Sequence, residues 1–363
     1  MARKKIKRIG VLTSGGDSQG MNAAVRAVVR HALSLGLTVY GIYGGYEGLI
    51  NGGDEVQKFT ASSVNNIIDR GGTALYSARS GRFKTEEGMQ KAIETLKKHK
   101  IDGLVVIGGD GTFRGASDLC ARGIPCVGIP ATIDRDITCT DRTIGYDTAL
   151  NITMRCIDNL RDTDESHARC NVIEAMGRNA GYLAVESAIA CGAVGIVVKE
   201  DLDYNEDALI EKINTVRANG KRNIMVVVSE GVDGYSEKLA KTIQEKTGIE
   251  TKFARLAHIV RGGSPTAVDR VFASKMGVEA VELLVKGKQN IFVCERQGKL
   301  VTADIQKAVI NDKMYKSRFT PSVEYPEAAL ANYTAKEVKE MEALCKERND
   351  EFFGLLSIVN GTN

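Results

Sequence analysis

The chain has 363 residues, 43% hydrophobic and 26% charged, with a net charge of +3. That composition fits a soluble globular protein of one large domain or two lobes and excludes disorder outside the ends. No stretch reaches the roughly 18 to 20 apolar residues of a membrane span, and eight cysteines without a CxxC, with four scattered histidines, point to reduced, mostly buried thiols and no structural metal.

In chain order, the basic cluster Arg3, Lys4, Lys5, Lys7 and Arg8 is a solvated lead-in and not a nucleic-acid footprint. It runs into "IKRIGVL" (6–12), a strand and not a signal-type apolar region, so a cytoplasmic location is expected. Further runs read as strands buried on both faces: "TVYGIY" (38–43), "DGLVVIGG" (102–109), "PCVGIP" (125–130), "CNVIEA" (170–175), "GIVVKE" (195–200), "RNIMVVVS" (222–229) and "NIFVC" (290–294). Between them, residues 20–36, 86–100, 143–162, 206–219 and 269–286 carry apolar side chains three and four apart and read as helices. The alternation predicts an α/β fold with mostly parallel sheets and right-handed crossovers. Any second lobe begins near the long helix at 143–162, without a flexible linker. The tail 333–356 has helical spacing and is expected to pack on the body as a terminal helix.

Two strands run directly into glycine turns and then helices: Gly15, Gly16, Asp17 and Gly20, and Gly108, Gly109, Asp110, Gly111 and Thr112. At the carboxyl ends of parallel strands such turns cradle phosphates, though a tight strand-to-helix connection alone also asks for glycine. The third GGD, at 52–54, precedes no clear helix. There is no GxxxxGK[ST], and neither turn reads GxGxxG, which argues against a P-loop and a dinucleotide site. Asp110 and Thr112 supply a carboxylate and a hydroxyl suited to a hydrated Mg²⁺ beside phosphates. In "PATIDRDI", Asp134 and Asp136 are two apart; in an extended loop they point the same way, as a proton acceptor and its partner or as turn and capping aspartates. Arg178 follows another strand, and Arg169, Glu230, Lys252, Arg255, His258 and Arg261 together provide groups for a second, sugar-phosphate-like anion.

From about Ile6 to residue 320, "GVLTSGGDSQGMNAAVR", "RGGTALYSAR", "VVIGGDGTFRGA", "PATIDRDI", "EAMGRNAG", "SEG" and "HIVRGGSP" stand in the order of the bacterial-type ATP-dependent 6-phosphofructokinases, which this chain resembles. The resemblance implies two Rossmann-like lobes with the active site in the cleft between them, assembled as a homotetramer. It implies a nucleotide-binding lobe of 1–142 with a returning segment at about 262–310, a sugar-phosphate lobe of 143–261 and a helical extension over 320–363. Gly15, Tyr46, Arg79, Ser80, Gly111 and Thr112 would then hold ATP, with Asp110 toward Mg²⁺. Asp134 would take the proton of the 1-hydroxyl of fructose 6-phosphate, with Thr132 and Arg178 on the transferring phosphoryl group. Thr132, Asp136, Met176, Gly177, Arg178, Glu230, His258 and Arg261 would hold the sugar, and Arg169 and Lys252 would reach its 6-phosphate from a neighbouring subunit.

Within that resemblance, Gly111 and Ala131 favour ATP, since pyrophosphate-using relatives carry Asp and Lys there; a regulatory paralogue of low activity is the other alternative. Four departures stand out: Arg135 for an asparagine between the two carboxylates, Lys252 and Lys84 for arginines, and Ser80 for an aromatic residue. Arg135 either lowers the pKa of Asp134 or points outward. At the implied effector site Arg26, Arg30 and Arg161 are kept, but Ala61 and Val194 replace an arginine and a glutamate, so a weak response to ADP is expected.

Overall fold

The structure is a computed structural model and describes residues 5–361; Arg3 and Lys4 of the basic cluster lie outside them. From the amino end the elements are β1 (Arg8–Ser14), α1 (Met21–Ser34), β2 (Thr38–Ile42), α2 (Gly45–Asn51), β3 (Val56–Phe59), α3 (Glu86–His99), β4 (Gly103–Gly108), α4 (Asp110–Ala121) and β5 (Cys126–Pro130). Then follow α5 (Tyr146–His167), β6 (Cys170–Ala175), α6 (Tyr182–Cys191), β7 (Gly195–Val197), α7 (Glu206–Ala218), β8 (Ile224–Ser229), α8 (Tyr235–Thr247) and β9 (Thr251–Arg255). The chain ends with α9 (Ala267–Val285), β10 (Ile291–Arg296), β11 (Lys299–Asp304), α10 (Ile305–Lys316), α11 (Glu327–Leu330) and α12 (Ala335–Gly361).

These strands make two sheets, ordered β11-β10-β5-β4-β1-β2-β3 and β7-β8-β6-β9. The smaller sheet is wholly parallel. The larger is parallel except at its edges, where β3 and β11 run antiparallel to their neighbours. Every residue of β4 and β5 is buried, as strands covered by helices on both faces require. After β9 the chain returns to the first sheet: β10 pairs with β5, and α9 lies along α1. That helix pair is close because Gly277 has no side chain; a Cβ there would stand 2.8 Å from the Ala24 carbonyl.

All eight predicted strands form, and the α/β class holds. Three strands were not anticipated, namely β3, β9 and β11. β9, TKFAR, mixes exposed charges with half-buried side chains at a sheet edge, so it lacks the continuous apolar run used to recognise the others. α2, α8, α10 and α11 were also missed. The predicted terminal helix is α12, and it belongs to the body: Phe352, Leu356 and Val359 are buried with the smaller sheet's core, Phe352 edge-on to Tyr182 at 5.1 Å. All eight cysteines are free thiols, six of them buried.

Candidate active site

The two glycine turns lie side by side because β1 and β4 are neighbours, with Ser14 opposite Gly108. The Thr112 hydroxyl donates to the Ser14 carbonyl at 2.9 Å and ties the turns together. A Cβ at Gly108 would sit 2.4 Å from that same carbonyl, so only glycine fits. Gly15 takes φ +83, the left-handed region glycine tolerates. α4 starts at Asp110, which aims its free backbone N–H groups into the cleft. Tyr46 closes the turn from below, donating its hydroxyl to the Thr112 carbonyl at 2.6 Å and stacking on Phe83.

A cavity of about 570 Å³ opens over these turns. It is lined by Gly15, Tyr46, Arg79, Ser80, Lys84, Asp110, Gly111 and Thr112 on one side and by Thr132, Asp134, Asp136, Arg178 and Arg261 on the other. Twelve of the eighteen site residues expected from the sequence therefore share one space. Position 111 leaves that space open, since a Cβ there would meet nothing within 4 Å.

Asp134 and Asp136 follow β5, but not in the extended loop expected from the sequence. Arg135 between them has φ +53, so the backbone turns there and both carboxylates reach the cavity while the arginine leaves it. Its guanidinium bonds to Glu186, to Glu351 Oε1 at 2.6 Å and to the Asp141 carbonyl at 3.1 Å, and it lies over the rings of Tyr182 and Tyr146. Of the two expectations for Arg135, the outward one is realised. Asp134 is 5% exposed, its Oδ1 accepts no hydrogen bond, and Arg261 comes no nearer than 3.9 Å. Burial first, then the charge of Asp136, push the Asp134 carboxyl up to about 7, against the pull of Arg261 and Arg178. Burial opposes ionisation of Asp136 too, yet Lys316, with Nζ 2.8 Å from Oδ2, holds that carboxyl below its ordinary value.

Arg178, at φ +57, is a second left-handed residue facing the same space. Glu230 holds its loop, accepting from the N–H groups of Gly177 at 3.2 Å and Arg178 at 2.7 Å. Met176 is buried in the core beneath that loop. His258 is exposed on the short turn after β9. None of Met176, Gly177, Glu230 or His258 lines the cavity. Arg169 and Lys252 are also outside it, on adjoining strand ends, and both pair with Glu250, at 2.8 and 2.9 Å. At the implied effector site Val194 is fully buried in the core behind the smaller sheet, so this position offers no group to a ligand.

Two residues of the site were not foreseen. Arg114 grips Asp110 with two bonds, of 3.1 and 2.6 Å; its place one helical turn beyond Asp110 was a readable signal. Lys316 reaches Asp136 from 180 residues away, and nothing local to it in the sequence marks it. For a divalent cation, Asp110 is the carboxylate at the mouth of the anion-binding turn, with each oxygen already accepting one bond from Arg114 and keeping a further lone pair, and the hydroxyl of Thr112 is committed to Ser14. A single carboxylate of this kind fits a Mg²⁺ that keeps most of its ligands as water and substrate phosphate.

A model of the Phosphofructokinase family matches residues 8–284. Among curated relatives, the "ATP-dependent 6-phosphofructokinase" of Bacillus pumilus is 52% identical over 316 residues, 86% of this chain and 98% of that one. The protein of the same name from Halalkalibacterium halodurans is 53% identical over 304 residues, 84% of this chain and 94% of that one. Among solved structures, phosphofructokinase from Saccharomyces cerevisiae superposes with a TM-score of 0.82 at 32% identity, covering 93% of this chain, which spans half the length of the yeast one. The pyrophosphate-dependent phosphofructokinase of Marinobacter aquaeolei, TM-score 0.73 over 84% of each chain at 23% identity, shares the fold. With the family model matching residues 8–284 and relatives more than 50% identical over most of both chains, the chain belongs to the phosphofructokinase family.

Proposed function

We infer that the chain is an ATP-dependent 6-phosphofructokinase, transferring the γ-phosphoryl group of ATP to the 1-hydroxyl of fructose 6-phosphate to give fructose 1,6-bisphosphate and ADP. The observation that carries the assignment is Asp134: a buried carboxylate that lines a phosphate-binding cleft together with Arg178 and Arg261. This carboxylate accepts the proton of the 1-hydroxyl as the sugar oxygen attacks phosphorus, and the raised pKa gives it the basicity to do so. Arg178 and the α4 N-terminus offset the charge on the phosphoryl oxygens, and Thr132 adds a hydroxyl beside them. Asp136 orients the sugar hydroxyl. The turns around Gly15 and Gly111 and the side chains of Tyr46, Arg79, Ser80 and Thr112 seat the nucleotide, and Mg²⁺ beside Asp110, when bound, neutralises the β and γ phosphates.

The open space at Gly111 supports ATP over pyrophosphate, since it leaves room for an α-phosphate. The outward turn of Arg135 removes the main reason to suspect an inactive paralogue. Residues 1–142 with about 262–310 form the nucleotide lobe around the larger sheet, 143–261 the sugar-phosphate lobe around the smaller one, and 320–363 a helical extension; the sheet memberships are what support this division. Arg261 binds the sugar from within the cavity, and Glu230 supports it by holding the loop of Gly177 and Arg178; for Met176, Gly177 and His258, which lie outside the cavity, sugar contact rests on the family resemblance. Arg169 and Lys252, outside this chain's own cavity, serve the 6-phosphate of a neighbouring subunit in a homotetramer, after Glu250 releases them. The enzyme works in the cytoplasm; no helix among the described residues is long and apolar enough to cross a membrane.

A coupled assay with fructose 6-phosphate and Mg²⁺, comparing ATP with pyrophosphate, tests the assignment. Turnover with ATP that is abolished by Asp134→Ala is expected. Turnover with pyrophosphate alone would overturn the choice of donor.

A further inference from the structure

The catalytic loop is held from behind by the last helices of the chain. On the α10 side, Asp312 accepts from the backbone N–H and hydroxyl of Thr138 at 2.7 and 2.5 Å, and Lys316 Nζ lies 2.8 Å from Asp136 Oδ2. On the α12 side, Arg348 donates to the carbonyls of Thr138 and Thr140, and Glu351 takes Arg135. Lys316 and Asp136 are 14% and 10% exposed, so their attraction is little screened.

Lys316 does not line the nucleotide cleft. It lines a second cavity of about 570 Å³ that adjoins the cleft through Asp110, Gly111, Arg114, Asp136 and Arg178. Of the cleft carboxylates, Asp136 is the one its ammonium bonds, and Asp110 feels its charge from farther away. Two buried carboxylates facing one pocket repel each other, and the cheaper state is one in which a proton sits on one of them. A cation placed behind Asp136 and away from Asp134 lets Asp136 stay an acceptor while Asp134 keeps its basicity.

We propose that Lys316 of α10 is a positioning residue for phosphoryl transfer, holding Asp136 charged and aimed at the sugar hydroxyl from behind the catalytic loop. The inference rests on the reading of Asp134 and Asp136 as the sugar-facing pair. Four forms of the full-length enzyme test it: Lys316→Met, Lys316→Arg, Asp136→Asn and the double variant Lys316→Met/Asp136→Asn. Lys316→Met is expected to lower kcat/KM for fructose 6-phosphate by roughly 10- to 100-fold with the KM for ATP within about twofold, and Lys316→Arg to recover most of the loss. The double variant should match Asp136→Asn within about twofold, because the lysine acts only through that carboxylate. If Lys316→Met is too unstable to assay, Lys316→Gln, which keeps a hydrogen bond to Asp136 but not the charge, takes its place in the comparison with the unsubstituted enzyme and with Lys316→Arg. Full activity in Lys316→Met beside a crippled Asp136→Asn would overturn the role of Lys316 alone, as would a double variant far worse than Asp136→Asn. Full activity in Asp136→Asn would overturn the site reading and this inference with it.

Discussion

Arg135 Nη2 stands 2.6 Å from Glu351 Oε1, which anchors the residue between the two catalytic carboxylates to the final helix. Glu186 and two tyrosine rings complete its surroundings. Arg135→Asn tolerates the left-handed backbone but leaves Glu186, whose carboxyl burial already pushes up, without its cation. We expect the variant to lose about 2 kcal/mol, less than a fully buried pair because Glu351 is 36% exposed. Urea melts would measure the loss, and kcat should not rise.

The acid limb of the rate profile should report Asp134. With its carboxyl pushed up to about 7, the base is protonated below that pH, so kcat/KM for fructose 6-phosphate should fall about tenfold per unit on the acid side. A profile flat down to about pH 5.5 would contradict this.

The same burial costs stability. Because the folded pKa lies above the unfolded one, Asp134 destabilises the fold progressively as pH rises from about 4 to 7, and the full cost remains above that. Asp134→Asn should therefore raise Tm, by more at about pH 8 than at about pH 5, while lowering kcat by on the order of 100-fold or more. Calorimetry at the two pH values decides it.

Gly111→Asp should fold normally, since its Cβ meets nothing within 4 Å and its φ is not left-handed. Its carboxylate enters the space assigned to the nucleotide. The KM for ATP should rise by about tenfold or more through charge repulsion alone, with Tm changed little. Initial rates against ATP, beside a melt, test both halves.

ADP should leave the fructose 6-phosphate saturation curve unchanged. Val194 is fully buried against the core behind β8, and Arg161 is occupied by Asp158 and the Cys191 carbonyl. A sigmoidal curve turned hyperbolic by ADP would contradict the expectation.

The central parallel strands were legible because burial on both faces demands apolar runs, and the glycine turns because a Cβ at Gly108 has nowhere to go. The edge strand β9 was not, since half its side chains answer to solvent. The cleft side of the site followed from motifs next to strand ends. Lys316 escaped because its role is set by packing of α10 behind the loop and by no local pattern. Arg135 was identified as a departure, but its direction depended on Glu351, 216 residues later.

That separation has a consequence for synthesis. A ribosome adding about 5 to 20 residues per second needs roughly 10 to 40 s to travel from Arg135 to Glu351. Through that interval both sheets can assemble, while the turn carrying Asp134 and Asp136 lacks the bonds that hold it from behind. Catalytic competence is thus the last property a nascent chain acquires.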